Sequence, residues 1–250
     1  MAGKMGSVGM KMLVTRPEPD AQPTCARLEA IGIEAVAAPV MVRETLDVGL
    51  PKADGFTAMV LTSANTVRAL GDRGVLERYW QLPVFAVGDR TAMEARAAGF
   101  ERVSSAAGAF VDLVNAMTIA QVPGPIFYPT GKHHSGDLAK ALAPLGVMVA
   151  TAKVYDMVPV ASLPDDVLGQ LGTEIGAVLA YSRRSAEIFA DLAKGLSRER
   201  RNQLGMLCLS EAVAEPLLET RFNRIGLADR PDEDAMMSLA LAFRREQTEP

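Results

Sequence analysis

The sequence predicts an α/β protein in which a doubly wound parallel sheet occurs twice. Three observations carry this: short unbroken apolar runs, amphipathic stretches that stop at glycines, and a match of the chain to itself. The runs are Met12–Val14, Ala58–Leu61, Val84–Val87, Ile126–Tyr128, Val147–Ala150, Ala177–Ala180 and Met206–Leu209. None alternates with polar residues, so each is expected to be covered on both faces, as parallel strands are between helices. The helical stretches end at Gly32, Gly99 and Gly146, where a left-handed cap needs no side chain.

The self-match fixes the order of these elements. Leu13-Val14 and Gly32-Ile33 align with Phe127-Tyr128 and Gly146-Val147 at an offset of 114. Phe56–Ser63 aligns with Ile175–Ser182 at 119, and Val84–Val87 with Met206–Leu209 at 122, each of the last pair followed by a helix ending at Phe100 or Phe222. The offsets drift by a few residues, as loop insertions make them. With about five strands in each half, the doubly wound arrangement appears twice. Pro39–Arg43 and Lys153–Val158 occupy equivalent places and read as extended. They are either edge strands or connections between two lobes.

Composition bounds the function. The 250 residues are 49% apolar, enough for a core and against a disordered chain. The 26 basic and 30 acidic residues leave a net charge of −4, against a general nucleic-acid binder. Cys25 and Cys208 are too few and too distant for a disulfide framework or a thiolate metal site, and read as small buried hydrophobes in a reducing compartment. No apolar stretch approaches the ~18 residues of a membrane span. Met1–Lys11 lacks the apolar region of a signal peptide and reads as a flexible leader. Its Gly3, Gly6 and Gly9 precede the first strand, which is the wrong context for a phosphate loop. A cytoplasmic location is expected.

Ligands of open parallel sheets bind beyond the carboxyl ends of the strands. The segments there are Thr15–Pro17, Thr62–Asn65, Gly88–Ala92, Pro129–Gly136, Tyr181–Ser185, Ser210–Ala212 and Ala228–Pro231. They are rich in hydroxyls, glycines and arginines and poor in carboxylates. There is no Gly-x-Ser-x-Gly elbow. Gly131 and Gly136 have Walker spacing, but Asp137-Leu138 follow where Lys-Ser/Thr is required. His133 and His134 are adjacent and point apart in an extended loop, so a metal is not expected. A metal-free, cofactor-free site of hydroxyls, helix N-termini and a few cations is expected to take a polyanionic small ligand.

Val14–Pro17, Leu61–Asn65 before Val67, Ala86–Ala92 with Gly99 following, and Val154-Tyr155 together resemble the uroporphyrinogen-III synthase family over residues 12–243. The second half departs from the family pattern: Ser210–Ala214 replaces a Gly-x-x-Thr-Ala element, and Tyr181–Arg183 stands where a Thr-Ser pair is common. The resemblance implies two flavodoxin-like lobes joined by a two-stranded ladder, with the site in the cleft between them. By analogy lobe 1 takes residues 12–38 and 160–243, lobe 2 takes 44–152, and 39–43 with 153–159 form the linker. It also implies a monomeric cytosolic lyase of heme and tetrapyrrole biosynthesis that closes hydroxymethylbilane into uroporphyrinogen III with inversion of ring D. The implied partners are this linear polycarboxylate and, transiently, hydroxymethylbilane synthase, with no nucleic acid and no membrane. A non-catalytic two-lobed ligand-binding relative is the alternative.

Each candidate residue carries two readings. By the resemblance Tyr155 hydrogen-bonds the leaving hydroxyl; otherwise it anchors an edge strand. Thr91 contacts substrate or caps the helix after Gly88, and Thr62 and Ser63 share this ambiguity. Arg16 meets a substrate carboxylate or fastens its lobe through a salt bridge. Ser182 and Arg183 are further binding candidates, with one of Arg183 and Arg184 expected to face the site. Lys132, His133 and His134 read as solvated loop, Lys153 as facing away from Tyr155, Arg198–Arg201 as a solvated helix end, and Met236-Met237 as a core stripe.

Overall fold

Met12, Leu13 and Val14 follow one another without a polar break, and they form a fully buried strand. In the computed structural model, which describes residues 10–106, 110–133 and 136–248, this is β1 (Lys11–Val14). The leader expected over residues 1–11 therefore ends earlier: Lys11 opens the strand and Met10 lies over Gly176, leaving no room for a Cβ there. Residues 1–9 lie outside the described residues. After α1 (Ala21–Ala30), Gly32 takes φ +79°, the left-handed stop that sends the chain into β2 (Ala35–Ala37) and β3 (Met41–Thr45).

The middle of the chain repeats strand, turn and helix as β4 (Ala58–Leu61), α2 (Ala64–Asp72), β5 (Val84–Val87), α3 (Asp89–Ala97), β6 (Val103–Ala106) and α4 (Phe110–Ile119). Then come β7 (Ile126–Gly131), α5 (Leu138–Leu142) and β8 (Val149–Pro159). The last part runs α6 (Asp165–Gln170), β9 (Ile175–Ala180), α7 (Arg183–Leu192), α8 (Arg198–Gln203), β10 (Gly205–Cys208), α9 (Glu211–Glu219), β11 (Arg224–Leu227) and α10 (Glu233–Thr248). Two of the expected extended segments, Val147–Ala150 and Lys153–Val158, share one strand: β8 runs for 11 residues from Val149, two residues into the first, through the whole of the second.

Two compact units result. The first takes the residues up to Val42 and those from Pro159 onward, the second Arg43–Val158. In the first unit the strand order is β11-β10-β9-β1-β2, every neighbouring pair parallel. On one face Met12, Val14, Leu179 and Leu207 pack with α1 and with Met236, Met237 and Phe243 of α10, so the methionine pair is core as expected. Cys25 and Cys208 are both buried thiols, and burial pushes Cys208 up to about 12.

In the second unit the order is β3-β8-β7-β4-β5-β6, parallel from β8 to β6. Met59, Leu61, Val84 and Phe127 pack toward α2 and α3, while Val60, Ile126 and Tyr128 pack toward α4 and α5. With the edge strand β3 set aside, β8-β7-β4-β5-β6 corresponds strand for strand to β2-β1-β9-β10-β11, the pairing that the sequence offsets give. In this order the connections leave in opposite directions from β1 and β9, and from β7 and β4. A crevice opens beyond the carboxyl ends at each such switch point.

In the run Arg198–Arg201, expected as a solvated helix end, Arg198 and Glu199 are exposed as expected and Arg200 and Arg201 depart from it. Arg200 donates to the carbonyls of Leu168, Gly169 and Leu171 at 2.9, 2.7 and 2.7 Å, and Arg201 to those of Leu196, Lys194 and Thr220. Carbonyls at a helix end lack intrahelical donors, and the Arg200 fork satisfies those that close α6.

Candidate active site

The second unit's crevice lies between β4 and β7. Thr62 and Ser63 follow β4, and Ser63, with φ −156°, is the extended residue that starts α2; its Oγ accepts from the Asn65 amide at 3.2 Å. Along β7 residues 126, 128 and 130 share a face. Tyr128 is 1% exposed, yet its hydroxyl reaches the carboxyl edge, 3.3 Å from Thr62 Oγ1, and accepts a bond from Thr130 Oγ1 at 3.3 Å. Three hydroxyls thus bridge the two strands at the switch point.

Tyr155 stands beside them. Its ring lies over Gly131: a Cβ there would sit 2.7 Å from Cζ and 2.9 Å from Oη. The register of β7 on β8 is irregular between Thr130 and Gly131, which pair with Lys153 and Tyr155. Strict alternation would put these two β8 side chains on one face. The irregularity instead leaves Lys153 exposed and Tyr155 buried. Burial raises the Tyr155 pKa above the usual phenol range; the Ser63 and Thr66 hydroxyls and the Arg43 charge work against the rise, and Tyr128 adds to it. The phenol stays protonated and serves as a hydrogen-bond donor. Arg43 is itself held by Asp72 at 2.7 Å and Thr45 at 2.9 Å.

Gly88, at φ +76°, is the residue that starts α3 without a side-chain cap. Thr91 is the third residue inside that helix and 6% exposed, so the expected capping role is not the one it plays. Lys132 pairs with Asp156 at 3.0 Å and His133 approaches the same carboxylate at 3.5 Å. Burial works to raise Asp156, but the Lys132 bond and charge, with smaller contributions from His133 and the Met157 backbone, outweigh it and the net shift is downward. Both loop side chains are exposed as expected; His134 lies outside the described residues.

The first unit's crevice, between β1 and β9, is filled. Arg16 stacks on the Tyr181 ring at 4.2 Å and bonds Glu233 at 2.5 Å. The other Glu233 oxygen accepts from Thr24 at 2.9 Å and Tyr181 at 3.0 Å. Of the two readings of Arg16, the salt bridge is the one present. Burial and Glu233 together drive the Tyr181 pKa far above the usual phenol range. Ser182 starts α7 in a reciprocal box with Ser185, each side chain bonded to the other residue's amide at 3.1 Å. Arg183 is on the surface, paired with Glu187 at 3.0 Å and with Glu215.

The structure thus brings Thr62, Ser63 and Tyr155 to one sheet edge, and Arg16 and Ser182 to another. Sequence reasoning missed Tyr128 and Thr66, which lie inside regular elements, and Glu233, 217 positions from Arg16. Among the described residues no group of His, Cys, Asp and Glu is arranged to hold a metal ion, and no helix is long and apolar enough to cross a membrane.

Comparison with known proteins agrees with this architecture. No curated protein sequence matches the chain. Among solved structures it is similar to the uroporphyrinogen-III synthetase of Helicobacter pylori 26695, with TM-score 0.68 and 16% identity over 94% of this chain and 99% of that one. It is also similar to a mutant uroporphyrinogen III synthase of the extremely thermophilic bacterium Thermus thermophilus, with TM-score 0.55 and 20% identity over 96% and 100%. At these identities the likeness speaks for the α/β fold. The family model for uroporphyrinogen-III synthase HemD matches residues 22–238, nearly the whole of both units, and the chain therefore belongs to the uroporphyrinogen-III synthase family.

Proposed function

We propose that the second unit's crevice is where this chain acts in closing hydroxymethylbilane into uroporphyrinogen III with inversion of ring D. The observation that carries this is Tyr155: a buried, protonated phenol held over Gly131 beside the hydroxyls of Ser63 and Thr66. Its O–H is placed to hydrogen-bond the substrate hydroxyl as that group departs as water. Departure leaves an electrophilic azafulvene. The substituted carbon of ring D attacks it to give a spiro intermediate, which opens and recloses at the other ring carbon.

The substrate also closes unaided to the type I isomer, so positioning is the larger part of the enzyme's task. The first turns of α2 and α3 offer backbone N–H groups to the substrate's carboxylates. Thr62, Ser63 and Thr91 are the side chains proposed to hold it. Arg16, Ser182 and Arg183 each have a structural partner within the first unit, so their share in binding rests on the family resemblance alone. The finer architecture is proposed as well: two flavodoxin-like lobes, residues 12–38 with 160–243 and residues 44–152, connected through the paired strands β3 and β8. So are a lyase of cyclising hydro-lyase type, a monomer in the cytoplasm, and a transient encounter with hydroxymethylbilane synthase.

The test is product isomer analysis. Hydroxymethylbilane generated in situ is incubated with the protein, oxidised, and resolved into uroporphyrins I and III. A dominant III isomer that disappears on boiling is expected, and Tyr155→Phe is expected to lower turnover more than removal of any other single hydroxyl. Type I alone at the spontaneous rate would overturn the assignment in favour of a non-catalytic binding relative. A Tyr155→Phe rate equal to that of the unmodified protein would remove the donor role.

A further inference from the structure

The three hydroxyls at the switch point are more than crevice lining. Tyr128 is a buried aromatic in the core between the sheet and α4 and α5, where a phenylalanine would pack as well. Its hydroxyl instead emerges at the carboxyl edge and joins β7 to β4: Thr130 donates to it at 3.3 Å, and Thr62 lies 3.3 Å away with either atom able to donate. A hydroxyl has one proton to give. If the Tyr128 proton goes to Thr62 Oγ1, the Thr62 proton is turned outward, toward the partly exposed side of that residue.

We propose that Tyr128 is a positioning residue for the cyclisation, acting through Thr62: the relay from Thr130 to Tyr128 to Thr62 holds the Thr62 hydroxyl as a donor aimed at a substrate carboxylate. This rests on the reading that Thr62 contacts substrate. The chemistry fits the ligand class. A hydroxyl left to rotate must give up that freedom when it turns its proton to a carboxylate, whereas one whose lone pair accepts from a buried phenol is held beforehand with its proton turned out. The arrangement needs no charge at the crevice, and it costs no desolvation of a cation when substrate enters.

The test is a double-mutant cycle on steady-state parameters, with melting followed for every variant. Thr62→Val is expected to raise KM by about tenfold, the worth of one hydrogen bond to a charged group. Tyr128→Phe and Thr130→Val should each raise KM several-fold with kcat within about twofold. The double variant Tyr128→Phe/Thr62→Val should be no worse than Thr62→Val alone. A merely structural tyrosine would lower the melting temperature and the active fraction without moving KM. Multiplying losses in the double variant, or an unchanged KM for Tyr128→Phe beside a raised one for Thr62→Val, would overturn the relay while leaving Thr62 in the site. An unchanged KM for Thr62→Val beside an impaired Tyr155→Phe would remove Thr62 from the site and the relay with it. Should Tyr128→Phe fail to fold, Thr130→Val and its double with Thr62→Val carry the same test.

Discussion

Gly131→Ala probes the placement of Tyr155 without touching its chemistry. Gly131 is not among the glycines at positive φ, so an alanine brings no backbone strain, only a methyl group. That methyl carbon would lie 2.7 Å from Tyr155 Cζ, where ordinary contact begins at 3.4 Å, so the ring must retreat by about 0.7 Å. Overpacking of this kind costs about 1–3 kcal/mol, which for a chain of this size lowers the melting temperature by between about 2 and 12 °C. Misplacing a reacting group by about 1 Å can cost a hundredfold in rate, so a kcat between about 10- and 100-fold lower is expected from a protein still folded at the assay temperature. The assay is formation of the type III isomer, with the spontaneous type I isomer as internal reference. The decisive comparison is Gly131→Ala/Tyr155→Phe against Tyr155→Phe: with no hydroxyl left to misplace, the alanine should cost nothing further in rate. An equal loss from Gly131→Ala in both backgrounds would refute the reasoning, because the methyl would then be acting on something other than the Tyr155 donor.

Three further outcomes follow from the contacts. Arg43 and Thr45 hold Asp72 below the usual carboxylate range, and a depressed folded pKa contributes stability above the unfolded value that is lost as pH falls through the folded one. Asp72→Asn should therefore melt below the unmodified protein at neutral pH, with the gap closing below about pH 4 in a melting series. Ser182→Ala should cost about 1 kcal/mol of stability and Ser182→Gly only a few tenths, in denaturant titrations, if the side chain serves the start of α7; equal losses would remove the capping role. Glu233→Gln weakens three hydrogen bonds at once, those from Arg16, Thr24 and Tyr181, and should lower the melting temperature by several degrees while KM for hydroxymethylbilane stays unchanged.

What was legible in the sequence depended on burial. Ala58–Leu61 and Val84–Val87 were bounded to the residue, because central parallel strands are apolar on both faces and leave no ambiguity of period. Strands β6 and β11 carry no such run and β2 only a three-residue one of small side chains: all three lie at sheet edges, are short, and keep most of their side chains partly exposed. The hydroxyls after the strands were legible because the carboxyl edge is a rule of the fold. Thr62 and Ser63 were found by it, and Tyr128 was not, since its strand position hid the fact that a tyrosine is long enough to carry its polar tip to the edge. Arg200 and Arg201 looked solvated because their acceptors are backbone carbonyls, which no sequence pattern displays.

The duplication explains why the two crevices differ. By the same offsets that align the halves, Thr62 corresponds to Tyr181 and Thr130 to Arg16, so the same two positions flank the switch point in each sheet. In the second unit they are hydroxyls joined through Tyr128; in the first they are a cation stacked on a ring, with Glu233 across both. The arginine's charge is already met by Glu233, and drawing it onto a substrate carboxylate would strand that glutamate partly buried without its cation. The hydroxyls carry no charge to surrender, and the partly exposed Thr62 still has bonding capacity to offer. A chain with two copies of one crevice can let one become rigid while the other stays adaptable. Arg16 and Tyr181 have taken the first course, and Thr62 is the position we propose stays open to a ligand that brings its own charge.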